Sequence, residues 1–169
     1  NAADFKFVNL HNDLDIKRFR RKINWENKCV ILYVGAHGVA NNLSRLLNLA
    51  KIIENKKVHF VFIGDGMMKK ELIKDAIDRE ITNVEFINPM SKEEVFKYIL
   101  SSDIGISILQ KNDVFKTIYS NKTFDYMSCK KPIIMCIDGI SRKLVEESKS
   151  GFYIDPDDDK HFSLIANEL

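Results

Sequence analysis

From Cys29 onward, short apolar runs alternate with amphipathic stretches at a regular beat. The runs are Cys29–Val34 (CVILYV), Val58–Ile63 (VHFVFI), Val84–Ile87 (VEFI), Ile104–Leu109 (IGISIL) and Pro132–Ile137 (PIIMCI), with a weaker one at Phe152–Ile154. Most are apolar and β-rich at consecutive positions, as strands covered on both faces require. Between them the apolar residues take helical spacing. Leu43, Leu46, Leu47, Ala50 and Ile53 form one stripe, with Asn41 or Asn42 as its cap. Met68, Leu72, Ala76 and Ile77 mark a second helix after Gly66, and Ser91-Lys92-Glu93-Glu94 is a capping box ahead of Val95, Ile99 and Leu100. Lys122 to Cys129 and Arg142 to Ser148 supply two more, the latter with Gly151 as its stop signal. Six strands alternating with helices predict an α/β fold, a Rossmann-like doubly wound parallel sheet of about six strands.

A chain of 169 residues is long enough to bury one real core. Its 26 basic and 24 acidic side chains leave a net charge of +2, too small to favour nucleic acid. The densest basic cluster, Lys17 to Lys22 (KRFRRK), is interrupted by Phe19 and reads as solvated linker. No apolar run approaches the roughly 18 residues that span a bilayer, and no signal peptide opens the chain. Cys29, Cys129 and Cys136 follow no metal or redox spacing, and their odd number suits a reducing compartment, so the expected location is cytoplasmic. Residues 1–28 read as a polar, irregular linker in which Trp25 is a packing residue; Asn1-Ala2-Ala3 reads as a cloning remnant. Asp157-Asp158-Asp159 looks like the start of a helix that the chain end cuts short.

In an open parallel sheet, ligands bind at the carboxyl ends of the strands. Three loops therefore carry the candidate chemistry. Gly35-Ala36-His37-Gly38-Val39-Ala40-Asn41 joins a buried strand to a helix start, where glycines let backbone approach a phosphate. It lacks a third glycine and a Walker Lys-Ser/Thr, so a tight structural turn is the competing reading. Gly64-Asp65-Gly66 suits a plain strand-to-helix turn. Tyr119 to Met127 (YSNKTFDYM) follows a long connection; Ser120 can cap a helix whose first turn holds Lys122, against the helix dipole. An anionic phosphate would favour a lysine there, and Asp125, one turn on, can accept from a ribose diol. The competing reading is a Lys122–Asp125 salt bridge on a solvated face. The histidines His11, His37, His59 and His161 form no metal spacing.

Together these segments resemble the C-terminal, donor-binding domain of the retaining GT-B-fold glycosyltransferases (group 1, or family 4, type). Asn12-Asp13-Leu14-Asp15 with Arg18-Phe19 is similar to the linker "N-G-V-D…F"; Val34-Gly35 ends the first strand; Phe62-Ile63-Gly64-Asp65-Gly66 resembles "I-G-D-G". Val84-Glu85-Phe86 with Ser91 to Glu94 resembles "V-x-F-x-G…eel", and Asn121 to Met127 with Lys131-Pro132-Ile133 resembles "P-N-K-x-F-E-Y-M-A-x-G-K-P-I". Gly151-Phe152 resembles the last strand, "G-x-x-v". The resemblance implies a diphosphate against Gly35, His37 and Gly38 with Lys122, a ribose held by Asp125, and a base beside Phe86, Ile87 and Asn88. The chain departs from the family where a phosphate-gripping Arg and Lys usually stand, here Ala36 and Asn41. It departs also in the paired-glutamate motif, here Thr117 and Asp125.

The resemblance further implies transfer of a sugar, with retention, from a nucleoside diphosphate sugar (a UDP-sugar by preference) to an acceptor hydroxyl in bacterial surface polysaccharide synthesis. Residues 29–169 would be the nucleotide-sugar-binding domain, truncated at its last helix and inactive alone. A missing N-terminal domain would bind the acceptor and make any membrane contact. No metal and no separate cofactor is implied. Two alternatives share the fold: half of a nucleotide-sugar 2-epimerase, and a non-catalytic nucleotide-binding module.

Overall fold

A computed structural model describes residues 5–168. The strands are β1 (Cys29–Val34), β2 (Val58–Ile63), β3 (Val84–Ile87), β4 (Ile104–Ile108), β5 (Ile133–Cys136) and β6 (Gly151–Tyr153). They form one sheet in the order β3-β2-β1-β4-β5-β6, every pair parallel. The helices are α1 (Phe5–Val8), α2 (Asp13–Lys22), α3 (Leu43–Ile52), α4 (Lys69–Asp78), α5 (Lys92–Ser101), α6 (Asn121–Ser128), α7 (Ile140–Glu147) and α8 (Asp159–Glu168). The expected doubly wound architecture is therefore present, with strand bounds within a residue of the apolar runs.

Strand side chains alternate between two cores, because successive residues point to opposite faces. Ile31, Tyr33, Phe60 and Phe62 pack with α3, α4 and α8, where Phe162 stacks on Phe60 at 6.3 Å between ring centroids. Val30, Leu32, Val61 and Ile63 pack with Trp25 and with α5, α6 and α7. Burying side chains of this size contributes about 1.5–3 kcal/mol each, which makes the central strands the stable scaffold for the loops at their ends.

From Phe5 on, the leading segment is largely helical rather than irregular. Asn12 caps α2 by accepting from the Asp15 N–H at 3.0 Å; Asp13 and Asp15 occupy the first turn, and Arg20, Arg21 and Lys22 the last. Both charge placements complement the helix dipole. The KRFRRK cluster is thus a helix end rather than solvated linker, and two of its members reach inward. Phe19 meets Tyr98 edge-on at 5.0 Å, and Arg20 donates to Asp103 at 2.8 Å. An amphipathic pattern whose half-buried members are an aromatic and an arginine stem is hard to recognise from polarity alone. Trp25 is the expected packing residue: it is fully buried, its indole N–H donating to Glu85 at 3.2 Å.

The helix boundaries also differ in detail. Ser91 and Glu94 form the expected capping box on α5. Asn42 stands at the α3 cap position, but in the left-handed region (φ 49°) and without a side-chain bond; the Asn41 side chain accepts from the Gly38 N–H instead. Gly151 does not end α7, since Lys149 (φ 53°) takes the left-handed turn and Gly151 opens β6. At α8 the acidic run acts as read, with Asp158 accepting from the His161 N–H at 3.0 Å. Asn1-Ala2-Ala3 lie outside the described residues.

Candidate functional site

The strand order reverses between β1 and β4, which places the loop after β1 and the helix α6 after β4 on either side of one crevice. β1 and β4 pair at Ile31↔Ile104 and Leu32↔Gly105 and then part. The Tyr126 hydroxyl fills the parting: it accepts from the Val34 N–H at 3.1 Å and donates to the Leu32 carbonyl at 3.0 Å. This fully buried tyrosine anchors α6, and with it Lys122 and Asp125, at the switch point. Its role depends on two strands diverging, which no local pattern in the sequence records.

Lys122 leans back from the first turn of α6 over the Tyr33 ring, its Nζ 4.6 Å from the ring centroid. Gly35, at φ +146°, makes room for it: a Cβ there would stand 3.2 Å from Lys122 Cε. Burial lowers the Lys122 pKa to about 8. Among the described residues no carboxylate lies within ion-pair distance of Lys122, so the salt bridge to Asp125 that spacing allowed is not formed. Asp125 faces Lys92 of α5 instead, at 3.9 Å. Ser120 takes the cap position of α6 without a side-chain cap bond; its N–H donates to Ser141 Oγ at 3.2 Å, tying α6 to α7. Thr117 ends a 3-10 turn, its hydroxyl donating to the Val114 carbonyl at 2.9 Å.

The first two loops are packed backbone to backbone. A Cβ at Gly64 (φ +147°) would lie 2.0 Å from the Gly35 carbonyl oxygen, so Gly64 serves close approach rather than ligand contact. Four N–H groups of the first loop are already engaged: Gly35 to the Ile63 carbonyl at 3.0 Å, His37 to the Asp65 carbonyl at 2.8 Å, Asn41 to the Gly38 carbonyl at 3.1 Å, and Gly38 to Asn41 Oδ1 at 3.3 Å. The last is the longest and is made to a side chain.

His37 is fully buried, between Tyr33 and Phe86 at 6.2 Å from each ring. Neither ring nitrogen has a hydrogen-bond partner among the described residues. Burial, reinforced by the Lys69 ammonium and opposed by Asp65, lowers its pKa to about 4. A neutral imidazole with two unsatisfied nitrogens is an unusual cost in a packed loop.

At the outer side of the crevice, Phe86 packs on Phe62 at 5.2 Å, and the Ile87 carbonyl accepts from the Gly64 N–H at 3.1 Å. Lys69, the first residue of α4 and only 8% exposed, donates to the Gly64 carbonyl (2.8 Å), the Ile87 carbonyl (3.2 Å) and Asn88 Oδ1 (2.8 Å). Sequence reading missed Lys69, because the pair Lys69-Lys70 looks like the solvated start of a surface helix. The structure thus brings Gly35, Lys122 and Tyr33 together, and His37, Phe86 and Lys69 beside them, while Asp125 turns to α5.

Comparison with known proteins agrees with this fold. The family described as Glycosyl transferases group 1 matches residues 15–169. The curated relatives include a probable glycosyltransferase, WbjE, of Pseudomonas aeruginosa, 22% identical over 148 residues, and the O-antigen chain mannosyltransferase C of Escherichia coli, 28% identical over 144 residues. The alignments take in 86% and 82% of this chain but 36% of each relative, so the chain spans about a third of their length. Among solved structures, Anabaena HepE in complex with UDP-glucose superposes with a TM-score of 0.83 at 18% identity, covering 99% of this chain and 46% of HepE. WaaG, a glycosyltransferase of lipopolysaccharide biosynthesis, gives 0.75 at 13% identity, covering 98% and 44%. Both share the fold.

Proposed function

The chain belongs to the group 1 glycosyltransferases, and from that premise we propose that it binds the donor, a nucleoside diphosphate sugar, for transfer to an acceptor hydroxyl with retention at the anomeric carbon. The observation that carries this reading is the meeting of Gly35 and Lys122 across the switch point: a cation with no carboxylate partner among the described residues, held against a glycine that leaves it room. The O-antigen chain mannosyltransferase supports a role in surface polysaccharide synthesis, and the HepE complex with UDP-glucose supports a UDP-sugar.

In this reading the diphosphate lies over Gly35 and Gly38, and Lys122 leaves the Tyr33 ring to meet it. The Gly38 N–H is the loop donor a phosphate oxygen can take over, displacing Asn41. Departure of the nucleoside diphosphate builds negative charge, so the residues here act electrostatically, through Lys122 and the first turn of α6. His37 lies behind the same loop and supplies a neutral N–H if the loop shifts. Asp125 accepts from the ribose hydroxyls on exchanging Lys92, and Phe86, Ile87 and Asn88 flank the base. Residues 1–28 would join this domain to an acceptor-binding domain absent from the chain, with both in the cytoplasm. No described helix is long and apolar enough to cross a membrane. Any membrane contact would belong to the absent half.

Calorimetric titration with UDP, GDP and ADP tests the reading. Half a crevice should bind its best nucleotide at about 10 µM to 1 mM, or about 4–7 kcal/mol. Binding that disappears in both Lys122→Ala and Asp125→Ala supports the proposal. Binding that survives both changes, or no binding by the folded chain, defeats it.

A further inference from the structure

At the ends of β2 and β3 one ammonium consumes the available acceptors. Lys69 donates to the Gly64 carbonyl, the Ile87 carbonyl and Asn88 Oδ1, which accounts for all three of its protons. The Ile87 carbonyl also accepts from the Gly64 N–H, so both of its lone pairs are engaged. Ammonium groups donate and never accept, which removes the usual ambiguity of an asparagine amide. With Oδ1 drawn to Lys69, the Nδ2 group of Asn88 must point the other way. Asn88 is exposed, and among the described residues its Nδ2 has no hydrogen-bond partner. This strand end therefore presents the Asn88 amide N–H group outward, while the Ile87 carbonyl and the amide oxygen are held by Lys69.

We infer that Lys69 and Asn88 together set the base preference of the site: Asn88 donates to a ring oxo group, and Lys69 is the positioning residue that fixes the amide in its donating orientation. The inference rests on the donor-binding reading above and deepens it by naming the class of base. Uracil and guanine carry an oxo group on the edge that would meet Asn88. Adenine carries an amino group there, which would face the Asn88 amide as a second donor.

The experiment is competition binding of UDP, GDP, CDP and ADP to the 169-residue chain and to two variants. The wild-type chain should bind UDP or GDP about tenfold or more tighter than ADP, the effect of one hydrogen bond gained against one donor left unpaired. Asn88→Asp keeps the contact with Lys69 but offers only oxygens outward. It should weaken UDP about tenfold and bring ADP and CDP level with it or ahead. Lys69→Met leaves Asn88 in place but frees its amide to turn, so the preference should shrink although Asn88 is intact. Because Asn88 is exposed, the aspartate variant remains informative even where Lys69→Met loses stability. A wild-type chain that binds UDP and ADP equally, or an Asn88→Asp chain that keeps the wild-type preference, overturns the inference and leaves donor binding standing. Failure of the wild-type chain to bind any of the four overturns both.

Discussion

At the amino ends of β1 and β4, Arg20 donates to the carbonyls of Ser101, Trp25 and Lys28 and to both oxygens of Asp103, which in turn accepts from the Val30 N–H. At the carboxyl ends of the same sheet, Lys122 rests on a ring face, and among the described residues neither His37 ring nitrogen nor the Asn88 N–H group has a partner. The amino end is nearly closed on itself, the Ser101 hydroxyl being its buried exception. Residues of similar chemistry thus serve opposite purposes at the two ends. Satisfied polar groups hold the fold together, and unsatisfied ones are a stability cost that a ligand can relieve.

That contrast can be broken in order of expected effect. Arg20→Met should lower stability by about 2–4 kcal/mol, read by urea unfolding, because three carbonyls and a partly exposed Asp103 lose their donor together. Nucleotide affinity of the folded chain should stay unchanged; a loss of affinity at unchanged stability would reverse the assignment of the two ends. Lys122→Ala should do the converse. It should cost about 2 kcal/mol of diphosphate affinity, with unfolding stability equal to or above that of the parent.

His37→Phe should raise stability by about 1 kcal/mol at neutral pH, since it fills a similar volume and removes two unpaired nitrogens. The pH dependence sharpens the point. With a folded pKa near 4 against an ordinary value of 6.5, the unfolded chain binds the extra proton between these limits. Stability contributed at this position is therefore present above pH 6.5 and lost as pH falls toward 4, and the phenylalanine variant should lose that dependence. An unchanged acid limb would show that His37 is not the group responsible.

The smallest expected effect concerns Lys122. Its pKa near 8 means that the ammonium fraction falls as pH rises from 7 to 8.5, and affinity for UDP should drop about fourfold over that range. Lys122→Arg, which stays charged, should remove the drop. A flat profile in the parent would mean that the cation contributes nothing to binding.

How legible all this was varies with how local each signal is. The strands from Cys29 to Tyr153 follow from consecutive apolar runs, and the Ser91–Glu94 box from a spacing of three. The leading helices were missed because Phe19 and Arg20 look solvent-facing until α5 and Asp103 come alongside. In the candidate site, sequence reading named Gly35 and Lys122, which the structure brings into contact, and offered a Lys122–Asp125 salt bridge along one helix as the competing reading. The actual neighbour of Lys122 is Tyr33, on β1.

The sequence by itself determined the alternation of strands and helices, and with it a parallel sheet whose carboxyl-end loops are where such folds bind ligands. Those are consequences of period and polarity, which are properties of neighbouring residues. Only the tertiary structure decided which loops meet. Placing β4 beside β1 sets Lys122 against Gly35, and the packing of α4 beside β3 turns Lys69 from a surface lysine into the clamp on Asn88. Hydrogen bonds act over about 3 Å, so which donors remain for a ligand is fixed by strand order and not by position along the chain.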